Sequence, residues 1–157
     1  QLHYQDPELQ VATHNGEIAT SALEKVRAIV RQQYVDDRDI NRWFGQYITE
    51  PPAGQLLSEA ESQLNREQFR SSLGKYSELW RSEFSRFAFI RDDNVVRLYV
   101  DGQEFELETE HLELVALLCD QRRYKTDDIQ THLTGSETFE LLTALYNIGE
   151  VEFPDNV

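Results

Sequence analysis

Apolar residues between Asp39 and Thr49 fall at Ile40, Trp43, Phe44, Tyr47 and Ile48. The spacing i, i+3, i+4, i+7, i+8 gathers large side chains on one side of a helix. Leaving such side chains in water costs roughly 1.5–3 kcal/mol each, so the stripe demands a covering surface. A second helical pattern precedes it, from about Thr20 to Tyr34, with Leu23, Val26 and Val30 on one face. The connection between them is short, which predicts an antiparallel helical hairpin. Asp36 and Asp37 suit the positive end of the second helix. Gly45 inside that helix costs about 1 kcal/mol against Ala and is expected to admit the close approach of another helix.

Beyond Glu50-Pro51-Pro52-Ala53-Gly54 the pattern changes. Two prolines end a helix and stiffen a spacer, so a domain boundary is placed here. Leu56 to Leu64 is either a weak helix or an extended arm. Asn65 with Gln68 forms a capping-box pattern that opens a short helix through Phe69 and Leu73 to Gly74. Strand-like runs follow at Glu78 to Arg81, Arg86 to Arg91 and Val95 to Leu107. Asp101-Gly102 breaks the last run into a hairpin. Its two-residue turn pairs Val100 with Gln103, Leu98 with Phe105 and Val96 with Leu107. The other, wet face then pairs Tyr99 with Glu104 and Arg97 with Glu106.

Three further helices are expected, capped by Thr109, Thr126 and Ser136. The first carries Leu112, Val115, Ala116 and Cys119. The second is short, Asp127 to Leu133. The third carries Phe139, Leu142 and Tyr146 beside Leu141, Leu145 and Ile148, and Gly149 turns into a strand at Glu150 to Phe153. Helix, short helix, helix and strand with a hairpin alongside is the order of a winged helix. The fold class is therefore α+β, mainly helical, with a small antiparallel sheet. Four segments are expected: an irregular entry (1–16), a helical hairpin (17–50), a Pro-rich linker (51–65) and a winged-helix-like domain (66–157).

Composition narrows the function. The 157 residues carry a net charge of −14, and residues 101–157 hold three basic against fourteen acidic side chains. Such a surface repels phosphate backbones and attracts basic partners. The helix from Ser136 to Ile148 would be the recognition helix, yet it holds no Lys or Arg, and only Asn147 suits base reading. Nucleic acid is thus not an expected partner. No run of about 18 apolar residues is present, so no membrane span is expected. A single cysteine, Cys119, fits a reducing cytoplasm and a buried structural role. The chain contains no Met, and a start without one followed by the structured-looking Leu2-His3-Tyr4-Gln5-Asp6-Pro7 suggests a piece of a longer protein.

No catalytic constellation emerges. His3, His14, His111 and His132 are scattered. The pair His111 and Glu113 points about 200° apart on a helix and reads as solvated. Nothing matches a two-His, one-carboxylate site, a nucleophile elbow, a phosphate loop or a dinucleotide fingerprint. No catalytic, cofactor-binding or metal-binding residue is therefore assigned. The aromatic stripe remains. The Leu23, Val26 and Val30 face of its own chain could cover it. A hairpin alone has little core, however, and two copies would make a four-helix bundle. Dimerisation is favoured, with Leu23, Val26, Val30, Ile40, Trp43, Phe44, Tyr47 and Ile48 as the interface.

Three stretches, Tyr4-Gln5-Asp6-Pro7, Arg42-Trp43-Phe44-Gly45-Gln46-Tyr47-Ile48 and Leu142-Thr143-Ala144-Leu145-Tyr146-Asn147-Ile148-Gly149, resemble the bacterial JmjC/cupin ribosomal oxygenases. The resemblance covers almost the whole chain, in matching order, through packing residues. It implies the parts that follow the catalytic barrel of a ribosomal protein arginine hydroxylase, namely a dimerisation segment and a winged helix. It further implies a homodimer and a basic ribosomal protein as the parent's substrate. Fe(II) and 2-oxoglutarate are implied in a catalytic domain outside this chain. The family's iron ligands, a His-x-Asp pair and a distant His, match no position here. The alternative is a stand-alone acidic protein-interaction module with a degenerate winged helix that does not bind DNA.

Overall fold

The computed structural model describes residues 14–31, 36–52, 60 and 62–154. Helices α1 (Thr20–Val30) and α2 (Asp37–Thr49) form the expected hairpin. Their antiparallel sense is fixed by Arg27 Nε on Asn41 Oδ1 (3.2 Å) and by the Arg31–Asp37 ion pair at 2.8 Å. Asp36 caps α2 by accepting from the Arg38 amide. Helix α3 (Arg66–Leu73) carries the capping box, with Asn65 and Gln68 each bonding the other's backbone. The expected segment Leu56 to Leu64 falls largely outside the described residues, as do Tyr4 to Pro7 and Tyr34.

Strands β1 (Glu78–Arg81), β2 (Phe87–Arg91), β3 (Val95–Val100) and β4 (Gln103–Glu108) come next. A 3-10 turn at Thr109–His111 leads into α4 (Leu112–Asp120), then β5 (Arg123–Lys125), α5 (Thr126–His132), α6 (Gly135–Asn147) and β6 (Val151–Glu152). The strands make two antiparallel sheets, ordered β5-β1-β6 and β2-β3-β4, where one had been expected. The first belongs to the winged helix, whose central strand β1 arrives from upstream. The hairpin register is as read from the sequence, from Val100 opposite Gln103 to Val96 opposite Leu107. Asp101 (φ +46°) and Gly102 (φ +82°) supply the left-handed turn.

That hairpin is not a wing beside β6. Its sheet lies between two layers. On one face Phe87, Phe89, Val96, Leu98 and Val100 join the main core with α3, α4, α5 and α6 residues such as Phe69, Leu114, Leu118, Ile129 and Leu142. On the other, Ile90 and Tyr99 pack with Leu23, Phe44 and Ile18 of the hairpin side. The face expected to be wet is therefore covered. Tyr99 is fully buried, and Arg97 is buried beneath Asp92 and Glu106, bonding Glu106 at 3.0 Å. A charged residue can lie there because its partners stay half in water while they neutralise it.

Three expected helix caps differ in detail. Thr109 opens the 3-10 turn rather than capping α4. Thr126 is the first residue of α5, and its hydroxyl donates to the Tyr76 carbonyl at 2.7 Å. Helix α6 begins one residue before Ser136, at Gly135, whose φ of +74° sets its entry. His111, expected in solvent, is buried at 4% exposure because the 3-10 turn tucks it near Thr134 Oγ1, between Glu110 and Glu137.

Candidate interaction surface

Helix α2 divides its aromatic stripe between two environments. Ile40 is 2% exposed and Phe44 packs against Leu23, Ile90 and Tyr99. Trp43 and Tyr47 instead stand 52% and 60% exposed. Their rings stack on each other, with centroids 5.4 Å apart and planes 15° from parallel. The reason is angular. A stripe of i, i+3, i+4, i+7 spans an arc wider than the sheet beneath can cover, so its outer half stays in water. Stacking hides part of each ring without burying the pair.

Three contacts hold the ridge in place. Arg42 grips the Glu104 carboxylate with Nε and Nη2 at 2.9–3.2 Å, pinning α2 to β4. Burial acts to raise the Glu104 carboxyl, but the Arg42 guanidinium holds it below its usual range. Thr49 Oγ1 accepts from the Gly102 amide at 3.0 Å, joining the end of α2 to the hairpin turn. Gly45 allows the close approach expected of it, but the neighbour is the ring of Tyr99 on β3 and not another helix.

Of the eight residues assigned to an interface from the sequence, the chain covers Leu23, Val26 and Ile40 itself. Val30, Phe44 and Ile48 are half-buried, and Ile48 lines a cleft at the end of α2. Trp43 and Tyr47 present themselves outward. Sequence reasoning missed Ile29, which is 52% exposed on α1, and Phe84, 58% exposed in the β1–β2 turn. Ile29 lies off the Leu23, Val26, Val30 face, and an apolar residue off its helix's buried face was the available signal.

The winged helix presents a different surface. Helix α6 carries Glu137 and Glu140, and Arg66 reaches Glu140 at 3.3 Å. Asn147, the residue suited to base reading, is engaged elsewhere. Its Oδ1 accepts from the Leu64 amide at 2.8 Å, and its Nδ2 donates to the Leu64 carbonyl at 2.9 Å. Among the described residues no group of His, Cys, Asp or Glu is arranged to hold a metal. No described helix is long and apolar enough to cross a membrane.

Comparison with known proteins places this architecture. In overall fold the chain is similar to the Escherichia coli ribosomal oxygenase YcfD, with a TM-score of 0.62 and 18% identity over 98% of this chain and 41% of that one. YcfD in complex with cobalt and succinic acid gives the same figures. Its complex with cobalt and 2-oxoglutarate gives a TM-score of 0.57 at 17% identity. The chain thus spans about 41% of the length of the structures it resembles. No curated protein matches it in sequence. The model of the ROXA-like winged helix matches residues 29–151, a span running from the end of α1 through both sheets to β6. This chain therefore belongs to the ROXA-like winged helix family.

Proposed function

We propose that the chain is the non-catalytic dimerisation and winged-helix region of an Fe(II)- and 2-oxoglutarate-dependent ribosomal protein hydroxylase. In this reading two copies pair through the Trp43–Tyr47 ridge of α2. Iron and 2-oxoglutarate are held by a JmjC/cupin barrel outside this chain, and the enzyme works in the cytoplasm on a basic ribosomal protein. The carrying observation is the family match together with an outward-facing stacked Trp–Tyr pair on its first complete helix. Aromatic anchors of this kind dominate the energy of protein interfaces. The acidic imbalance of residues 101–157 supports a basic substrate.

Two experiments test the reading. Sedimentation equilibrium of the chain at tens of micromolar is expected to give a dimer, and a monomer would overturn the pairing role. Reading the coding sequence upstream of Gln1 is expected to reveal a barrel with a His-x-Asp pair. A start codon close to Gln1 would instead favour a stand-alone acidic interaction module.

A further inference from the structure

A cleft of about 390 Å³ lies where the end of α2, the β1–β2 turn and the loop after α4 meet. Its lining includes Arg81, Arg86 and Arg122, a concentration of positive charge in a chain of net charge −14. Arg66 and Arg97 reach Glu140 and Asp92 through Nη1, but three other arginines engage carboxylates with the Nε/Nη2 edge. Arg31 does so on Asp37, Arg42 on Glu104 and Arg91 on Glu17. The three cleft arginines do not. Among the described residues their guanidinium hydrogen bonds run from Nη1 to backbone carbonyls, and the Arg81 guanidinium also lies 4.9 Å over the Phe87 ring. Arg81 reaches Leu118 and Cys119, Arg86 reaches Glu50, and Arg122 reaches Ser82 and Glu83.

Satisfying those carbonyls accounts for the Nη1 contacts. It leaves the Nε/Nη2 edges of Arg86 and Arg122, both solvent-exposed, open around one cavity beside the buried Nε of Arg81. Among the described residues Arg81 Nε is buried without a hydrogen-bond partner, as are the Oγ of Ser85, a cleft residue only 1% exposed, and Oε2 of the neighbouring Glu150. Stranded buried donors are costly unless something occupies the space before them. Burial also lowers the Arg81 guanidinium from its ordinary value, so a counter-charge there would be favourable.

We propose that this cleft is an oxyanion-binding site, taking a carboxylate or phosphate group in the guanidinium edges of Arg81, Arg86 and Arg122, with Ser85 Oγ as a further donor. The planar Nε/Nη2 edge matches two oxygens of either group. The nearby carboxylates leave room for this. Glu17 is held by Arg91, and Asp101 accepts from the Arg86 amide at 2.7 Å. Glu150 is buried beside Ser85, and burial pushes its carboxyl up to about 7, which thins its negative charge. Trp43 and Tyr47 do not line the site, although Ile48 at the end of the same helix does.

The test is titration of the whole chain with inorganic phosphate, citrate and a glutamate-rich peptide, followed by calorimetry and by the arginine Nε–H resonances. The expected result is saturable binding that moves the resonances of Arg81, Arg86 and Arg122 and leaves those of Arg31 and Arg42 in place. The probe bound most tightly separates a free anion from a peptide carboxylate. The double variant R86K/R122K keeps the charge but loses two planar edges, and should weaken binding by at least about tenfold. S85A, which leaves every arginine intact, should weaken it by a smaller factor, and R66K should not change it. Equal affinity in R86K/R122K, confirmed folded by its melting curve, would reduce the effect to diffuse charge attraction and overturn the site. So would an absence of saturation by about 10 mM of all three probes.

Discussion

A side-chain carbon placed on Gly45 would sit 2.4 Å from Cε2 of Tyr99 and 2.5 Å from its Cζ. Helix α2 and strand β3 are thus pressed together until no atom fits between helix backbone and phenol ring. Gly45→Ala would gain about 1 kcal/mol of helix propensity, but it forces a fully buried ring to move. Overpacking of this kind costs about 1–3 kcal/mol, so net destabilisation is expected in urea unfolding. Adding Tyr99→Leu to Gly45→Ala should cost less than the two single changes summed, since the smaller side chain makes room.

The exposed ridge should separate association from folding. Trp43→Ala with Tyr47→Ala removes side chains that the chain itself does not bury. Surface changes of this type usually alter stability by within about 0.5 kcal/mol. If the ridge is the pairing surface, losing two aromatic anchors should weaken the dimer by at least about 30-fold. Sedimentation of the variant beside its thermal melt reads both quantities.

Glu150 ties stability to pH. It is 2% exposed, and burial is the main cause of its carboxyl rising to about 7. Asp101 pushes in the same direction, whereas Ser85 and Arg81 oppose it. The folded carboxyl holds its proton more tightly than the unfolded one. Its contribution is therefore complete below the ordinary glutamate range near 4.5 and is lost as pH rises toward 7. Urea midpoints should fall across that window. Glu150→Gln should flatten the fall, leaving the smaller part due to Asp101, whose carboxyl burial also raises.

Cys119 should be chemically quiet. It is buried at 4% exposure, and burial pushes its thiol up to about 12. The thiolate is the reactive form, so alkylation by iodoacetamide at neutral pH should proceed at the rate of chain opening. Mass spectrometry should show little labelling of the native chain and complete labelling in denaturant.

Much of the local structure was legible because it depends on near neighbours. The capping box at Asn65 and Gln68 and the Asp101-Gly102 turn follow from residues three positions apart or closer. So does the pairing of β3 with β4, whose register the turn length dictates. The same pattern gave the order of helices in the winged helix, and the charge count removed basic residues from α6. His111 and the starts of α4 and α6 were misjudged where a 3-10 turn or a left-handed glycine shifted the frame, whereas Thr126 opens α5 itself and Lys125 takes the cap position.

Taken alone, the sequence determined that helix α2 carries a wide apolar stripe and that a hairpin turns at Asp101-Gly102. It could not assign which half of that stripe is covered. A one-dimensional pattern gives the angular position of a side chain on its own element, while cover depends on the width of whatever packs against it. Only the tertiary structure decided that sheet β2-β3-β4 lies under α2, burying Ile40, Tyr99 and Arg97 and leaving Trp43 and Tyr47 outside. Only it brought Arg81, Arg86 and Arg122 to one cleft, because residues up to 41 positions apart meet when β1, β2 and the end of α4 converge.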